Sequence, residues 1–204
     1  MKLVFDIETD DLDAKKIWCI VAKDVVTEQL YTYGPDQIEE GCKLLCSADE
    51  LIGHNIIGFD LPVLRDLTSF KTLGVGQKIV DTLVLSRLFD PVREAGHGLK
   101  AWGYKLGSSK IEFDSFGGGF SSEMLDYCIQ DVNLNLKVYY ALREESRGFS
   151  KESLEIEHAI ADILKEQERH GFLYDDMAAE LLLAELREVV AKTEAKVKHV
   201  FKPK

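Results

Sequence analysis

The chain has 204 residues, of which 46% are hydrophobic and 30% charged, and a net charge of −11. This length allows one full hydrophobic core plus an appendage, and the composition is that of an ordinary globular protein. No run approaches the roughly eighteen uninterrupted apolar residues that a spanning helix needs, so no membrane contact is expected. The negative charge argues against a protein that grips duplex DNA by charge alone, since such binding neutralises phosphates with Lys and Arg. It leaves open an enzyme that acts on a strand end, with weak and salt-sensitive binding.

The opening MKLVFDIETDD turns acidic by position 6, where an export signal would still be apolar, so it reads as a strand in a cytoplasmic protein. Further strands are predicted at 17–23 (IWCIVAK) and 28–33 (EQLYTY), both short and rich in β-branched or aromatic residues, giving three consecutive antiparallel strands. Residues 34–48 open with Gly-Pro-Asp and continue with helical spacing before an extended stretch at 50–55. A helix is predicted at 60–67, then a short strand running into a helix over 78–89.

A short amphipathic helix is predicted over 96–107, with Leu99, Trp102 and Leu106 on one side, and then the glycine-rich FGGGF at 116–120. Ser121 or Ser122, with Glu123 behind, caps a long helix to about residue 146. Two more amphipathic helices, 151–170 and 176–200, complete the chain, which stops at FKPK as though inside something longer. The order describes an α/β fold: a mixed sheet of about five strands flanked by helices, with a C-terminal helix pair. The expected division is a main domain over 1–150 and a helical segment over 151–204.

Alternate strand residues share a face, so Asp6 and Glu8 project to the same side of the first strand. Alone, such a pair also fits a solvated or capping role. Asp60 follows the loop that leaves the strand ending near His54 and Asn55, and stands at a helix start, where it could equally be an N-cap. Tyr127 and Asp131 are four apart on one helix and share a face, which also fits a surface hydrogen-bonded pair. Together these residues suggest a metal centre. Hard divalent cations prefer carboxylate and water oxygens, and two of them roughly 3.5–4 Å apart stabilise the attacking and leaving oxygens of a phosphodiester displacement. Asp6, Glu8, Asp60 and Asp131 supply the charge for two Mg²⁺ ions, with Mn²⁺ able to substitute. The Tyr127 phenol suits orienting the attacking water rather than deprotonating it.

DIET with Asp6 and Glu8, NIIGFD from Asn55 to Asp60, and YCIQD with Tyr127 and Asp131 resemble, in order, the three exonuclease motifs of the DEDD superfamily. The tyrosine subclass has Tyr-x-x-x-Asp, whereas the histidine subclass has His five positions before the Asp, which here is Asp126. DTLVLSRL (81–88), LKAWGYKLG (99–107), IEHAIADILKEQERHGF (156–172) and the closing PK resemble the N-terminal part of short-tailed-phage family A replicative DNA polymerases.

The resemblance implies a ribonuclease-H-like fold and a proofreading 3′→5′ exonuclease acting on single-stranded DNA ends, in the host cytoplasm if the chain is phage-encoded. One metal would be held by Asp6, Glu8 and Asp131 and a second by Asp6 with Asp60 nearby. Leu12 matches a wedge against the terminal base, with core packing as the alternative. Asn55 and Phe59 match positions near the substrate strand, where an aromatic can stack on a base. The partners implied are a single-stranded DNA 3′ end and a polymerase module on the same or a companion chain, with a processivity factor binding elsewhere. The segment between the second and third motifs looks short, which puts strand-guiding contacts from 65–120 in doubt.

Two alternatives stand beside this reading: an RNA-trimming exonuclease of the same subclass, and a non-catalytic strand-binding or polymerase-docking module. Residues 65–110 carry eight basic against four acidic residues and are a candidate strand-binding flank or a solvated surface. The four cysteines, Cys19, Cys42, Cys46 and Cys128, lack CxxC spacing and read as reduced core thiols. His54 reads as structural, because hard-cation sites seldom recruit imidazole. His97, His158, His170 and His199 lack partners at zinc-like spacing. Trp18 and Trp102 read as core, and FGGGF as a flexible connector.

Overall fold

In the computed structural model, residues 1–71, 76–108 and 118–201 are described. Their strands form one mixed sheet in the order β3-β2-β1-β4-β5. These are β1 (Lys2–Thr9), β2 (Ile17–Asp24), β3 (Leu30–Tyr33), β4 (Glu50–Gly53) and β5 (Lys78–Asp81). β1, β2 and β3 pair antiparallel, while β4 runs parallel to β1 and β5 parallel to β4. The central strand β1 is buried on both faces from Leu3 to Thr9 apart from half-buried Asp6, as a strand covered by helices on both sides must be.

The helices are α1 (Ile38–Cys46), α2 (Asp60–Leu67), α3 (Thr82–Phe89), α4 (Leu99–Lys105), α5 (Ser122–Glu145), α6 (Lys151–His170) and α7 (Asp176–Val200). A 3₁₀ turn, Pro35–Gln37, precedes α1. On one face of the sheet, Val4, Cys19, Val21 and Ile52 pack with Cys128, Val132 and Leu136 of α5 and with Trp102 of α4. On the other, Leu3, Phe5, Ile7 and Ile20 pack with Cys42 and Leu45 of α1 and with Leu61 and Leu64 of α2. Caps define the helix starts: Ser121 Oγ accepts from the Met124 amide at 3.2 Å, and Asp175 from that of Ala178 at 2.9 Å.

Several expectations are corrected. β3 begins at Leu30, not residue 28, because Glu28 takes a positive φ of 58° in a turn. β4 ends at Gly53, not residue 55, because Asn55 has φ 66° and turns the chain out of the sheet. Trp18 is half-buried rather than core, with the Lys16 ammonium 4.3 Å from its ring centre. Trp102 is buried, as expected. Cys19, Cys42 and Cys128 are buried free thiols, whereas Cys46 is half-buried. Of FGGGF, Phe116 and Gly117 lie outside the described residues, as does the closing PK.

The chain divides into two compact units, Met1–Glu166 and Gln167–Lys204. Helices α6 and α7 form as expected, but much of their apolar surface is open: Ile163, Leu186 and Val189 are 66%, 53% and 60% exposed. Among the described residues, no helix is long and apolar enough to cross a membrane.

Candidate active site

The site lies where parallel strands β1 and β4 run out. β4 pairs with β1 only as far as Val4↔Ile52, so β1 continues alone on that side, leaving backbone donors to be met by other groups. Such a carboxyl-end opening in a sheet is where ligands usually bind. Asp60, the first residue of α2, fills the gap: its carboxylate accepts from the Ile7 amide at 3.2 Å. Asp60 is therefore not an N-cap. It reaches across to β1 midway between Asp6 and Glu8, and is itself only 3% exposed.

Burial, helped by the negative charge of nearby Asp81, pushes the Asp60 carboxyl up to about 7, against the opposing pull of amide hydrogen bonds. Glu8 and Asp131 are 7% and 5% exposed, and Asp6 is half-buried. Gathering carboxylates out of water is costly unless a counter-charge joins them, so the donor set suits a hard cation.

Asp6, Glu8 and Cys128 present ligand atoms all within 4.8 Å of one another. α5 crosses β1 and β2 here, and the Cys128 thiol lies 3.6 Å from Asp6 Oδ2 and 3.7 Å from the Asp6 carbonyl oxygen. Its burial, with Cys19, Asp6 and Glu8 around it, pushes the thiol well above the ordinary range. Cys128 thus borders the candidate centre, a role its sequence did not reveal. Asp131 lies three residues on along the same helix face, and half-buried Tyr127 one turn before Asp131.

Of the candidate strand-contact residues, Leu12 is 87% exposed, which excludes core packing. It stands in the β1–β2 loop, which is braced by Asp10 accepting from the Lys15 and Lys16 amides at 2.9 and 3.0 Å. Those amides hold the Asp10 carboxyl below its ordinary range. Asn55 is exposed, while Phe59 is half-buried against the α2-side core. A Cβ at Gly58 would lie 2.4 Å from Asn55 Oδ1, so a larger residue there would displace the exposed Asn55 side chain.

Asp81, also missed, organises the loop behind the site. Its carboxylate accepts from the amides of Asn55 (2.9 Å) and Ile57 (3.0 Å) while capping α3 through Leu83 (2.9 Å). An Asp directly before a helical run was the available signal. Beside it, Thr82 Oγ1 lies 2.9 Å from His54 Nδ1 and 2.8 Å from Asn135 Oδ1. His54 is thus engaged with Thr82 through Nδ1, and Asn135 sits one turn beyond Asp131 on α5.

Part of the basic stretch at 65–110 is committed internally. Arg93, its guanidinium 4.4 Å from the Trp102 ring centre, and Lys105 both pair with Glu145, at 2.7 and 2.9 Å.

No protein-family model matches the chain. The DNA-directed DNA polymerases of Enterobacteria phage T3 and Escherichia phage T7 are 29% and 28% identical to it over 248 and 245 aligned positions, covering 90% of this chain and 35% of each polymerase. The chain thus spans about a third of the length of these relatives. Since 90% of 204 residues is about 184, roughly 60 of the 248 positions are filled by the T3 polymerase alone, which carries additional residues inside the matched region. Brucella melitensis NrnC has the same fold, with a TM-score of 0.65 at 18% identity, covering 86% of this chain and 88% of that one. A family B DNA polymerase from the archaeon Pyrobaculum calidifontis matches at TM-score 0.52 and 14% identity, covering 85% of this chain and 31% of its own. With a ribonuclease-H-like α/β fold and this sequence likeness, the chain resembles the N-terminal exonuclease region of short-tailed-phage DNA polymerases.

Proposed function

We propose that this chain is a 3′→5′ exonuclease domain that hydrolyses single-stranded DNA ends as the proofreading part of a phage family A DNA polymerase. The observation that carries this reading is the pairing of Asp6 with Glu8, whose ligand atoms lie within 4.8 Å of each other and of the Cys128 thiol, with the Asp60 carboxylate bonded to the amide of Ile7, the residue between them, in a chain similar to two phage polymerases. Residues 1–150 form the exonuclease domain, and residues 151–204 the helical segment that leads into a polymerase module.

Asp6, Glu8, Asp60 and Asp131 hold two divalent cations, Mg²⁺ or Mn²⁺; NrnC, of the same fold, has been solved with Mg²⁺ bound. When bound, such ions lower the pKa of a coordinated water and offset charge on the leaving oxygen. The chain's own groups do the rest. Tyr127 orients the attacking water. Leu12, held out in its braced loop, wedges against the terminal base, while Asn55 and Phe59 contact the strand. Glu8, Asp60 and Asp131 are buried, so cations held there would be screened less by water and would act more strongly on a developing oxyanion.

The test is degradation of a 5′-labelled single-stranded DNA oligonucleotide with Mg²⁺ or Mn²⁺, alongside matched RNA and 3′-blocked DNA. The expected result is a ladder that shortens from the 3′ end of DNA, is abolished by EDTA, and is absent in a folded Asp6→Ala variant. Trimming of the RNA instead would favour an RNA exonuclease. No cleavage by the folded, metal-loaded domain would favour a docking module, and cleavage by Asp6→Ala at the parent rate would show the site to be misassigned.

A further inference from the structure

The Asn55–Ile57 loop, which leads into Asp60, is clamped by Asp81, and Asp81 is held in turn from outside the sheet. β5 is an edge strand that pairs only with β4 among the described strands. The Asp81 amide donates to His158 Nε2 at 2.9 Å. On the other side of the ring, His158 Nδ1 lies 2.7 Å from the Leu154 carbonyl oxygen one turn earlier in α6. A carbonyl can only accept, so Nδ1 carries the proton and Nε2 is left as the acceptor that the Asp81 amide requires.

The hydrogen-bonded path therefore runs from α6 through His158 to Asp81. It continues from the Asp81 carboxylate to the Asn55 and Ile57 amides, then through the start of α2 to the Asp60 carboxylate and the Ile7 amide of β1. The loop and α2 are linked by backbone bonds: Phe59 donates to Asn55 at 3.0 Å and Leu61 to Ile56 at 2.9 Å. Beside His158, α6 borders a cavity of about 740 Å³ lined also by Ile79, Val80, Phe89 and Arg143. Leu154 of α6 packs against the core, yet the cavity leaves a gap between the helix and the sheet edge, and the directed polar bond of His158 crosses to β5 beside it.

We infer that His158 is a positioning residue for the exonuclease centre: through Asp81 it sets the loop that places Asp60, so the seating of α6 tunes hydrolysis. This rests on the function proposed above. No cation need touch His158, and it makes no contact with the reacting atoms.

The test uses the whole chain as wild type, His158→Ala and His158→Gln. Gln is chosen because its Oε1 can accept at the position of Nε2. Amide hydrogen exchange is followed residue by residue in EDTA, and Mg²⁺-dependent hydrolysis of 5′-labelled single-stranded DNA in parallel. For His158→Ala the expected result is exchange about fivefold faster at Asp81, Asn55 and Ile57, the equivalent of about one net hydrogen bond. A similar loss in kcat is expected, with KM little changed, and His158→Gln should restore both. A merely structural role would instead lower protection across the sheet, and Gln would not selectively restore the loop. Unchanged exchange at Asn55 and Ile57 in His158→Ala, or no rescue by Gln, overturns the inference. If the wild-type chain fails to hydrolyse DNA, the proposed function falls, while the exchange arm still decides whether His158 sets the loop.

Discussion

Replacing Asp60 with Asn should stabilise the metal-free protein at pH 8 and have little effect near pH 4. Asp60 is almost fully buried, and its carboxyl is pushed from an ordinary 3.8 up to about 7, first by loss of water and then by Asp81. A carboxyl whose folded value lies above its unfolded value binds more protons folded than unfolded across that interval. Stability therefore falls as pH rises from about 4 to 7 and levels off above. At about 1.36 kcal/mol per pH unit, the interval corresponds to roughly 4 kcal/mol as an upper bound. An Asn amide carries no charge, and its oxygen can still accept from the Ile7 amide, so the variant escapes this penalty. Urea unfolding of both proteins in EDTA, from pH 4 to 8, measures the difference. The gap should open with rising pH, favour the variant, and close again for the wild type when Mg²⁺ is added, because a cation bound only to the folded state stabilises it. A variant less stable than wild type by the same amount at pH 5 and pH 8 would refute the reasoning, since Asp60 would then contribute only as a neutral hydrogen-bonding group.

Gly53→Ala should lower stability by about 1–3 kcal/mol, because the new Cβ would sit 2.0 Å from Ile56 Cγ2 and 3.1 Å from the Phe5 carbonyl oxygen, beside a fully buried side chain. A thermal melt reads this directly, and an unchanged midpoint would mean the loop after β4 can shift. A thiol reagent at pH 8 should label Cys46 in a fast phase that Cys46→Ser removes. Cys19, Cys42 and Cys128 are at most 1% exposed, and burial holds the Cys42 and Cys128 thiols above the ordinary range. Fast labelling of Cys128 would mean that α5 lifts from β1 readily.

Local pattern accounts for most of what could be read in advance. β-branched and aromatic content marks β1 and β2, and Ser121 with Glu123 marks where α5 begins; the bounds read for β2, α2 and α5 lie within a residue or two of those observed. Errors fell where a single residue adopts a positive φ, at Glu28 and Asn55, which neither composition nor periodicity signals.

The motif residues could be picked out as a set because their types and order suit a hard-cation centre, but their surroundings could not. The sequence by itself determined the elements, their order and the presence of Asp6, Glu8, Asp60, Tyr127 and Asp131, since these depend on side-chain chemistry and spacing of a few residues along the chain. Only the tertiary structure decided that Asp60 bonds to β1 rather than capping its helix, that Cys128 borders Asp6, that Leu12 is exposed, and that His158 reaches Asp81 from 77 positions away. Those relations depend on which strands end together and which helix crosses them, and contacts between segments distant in sequence leave no periodic trace in either.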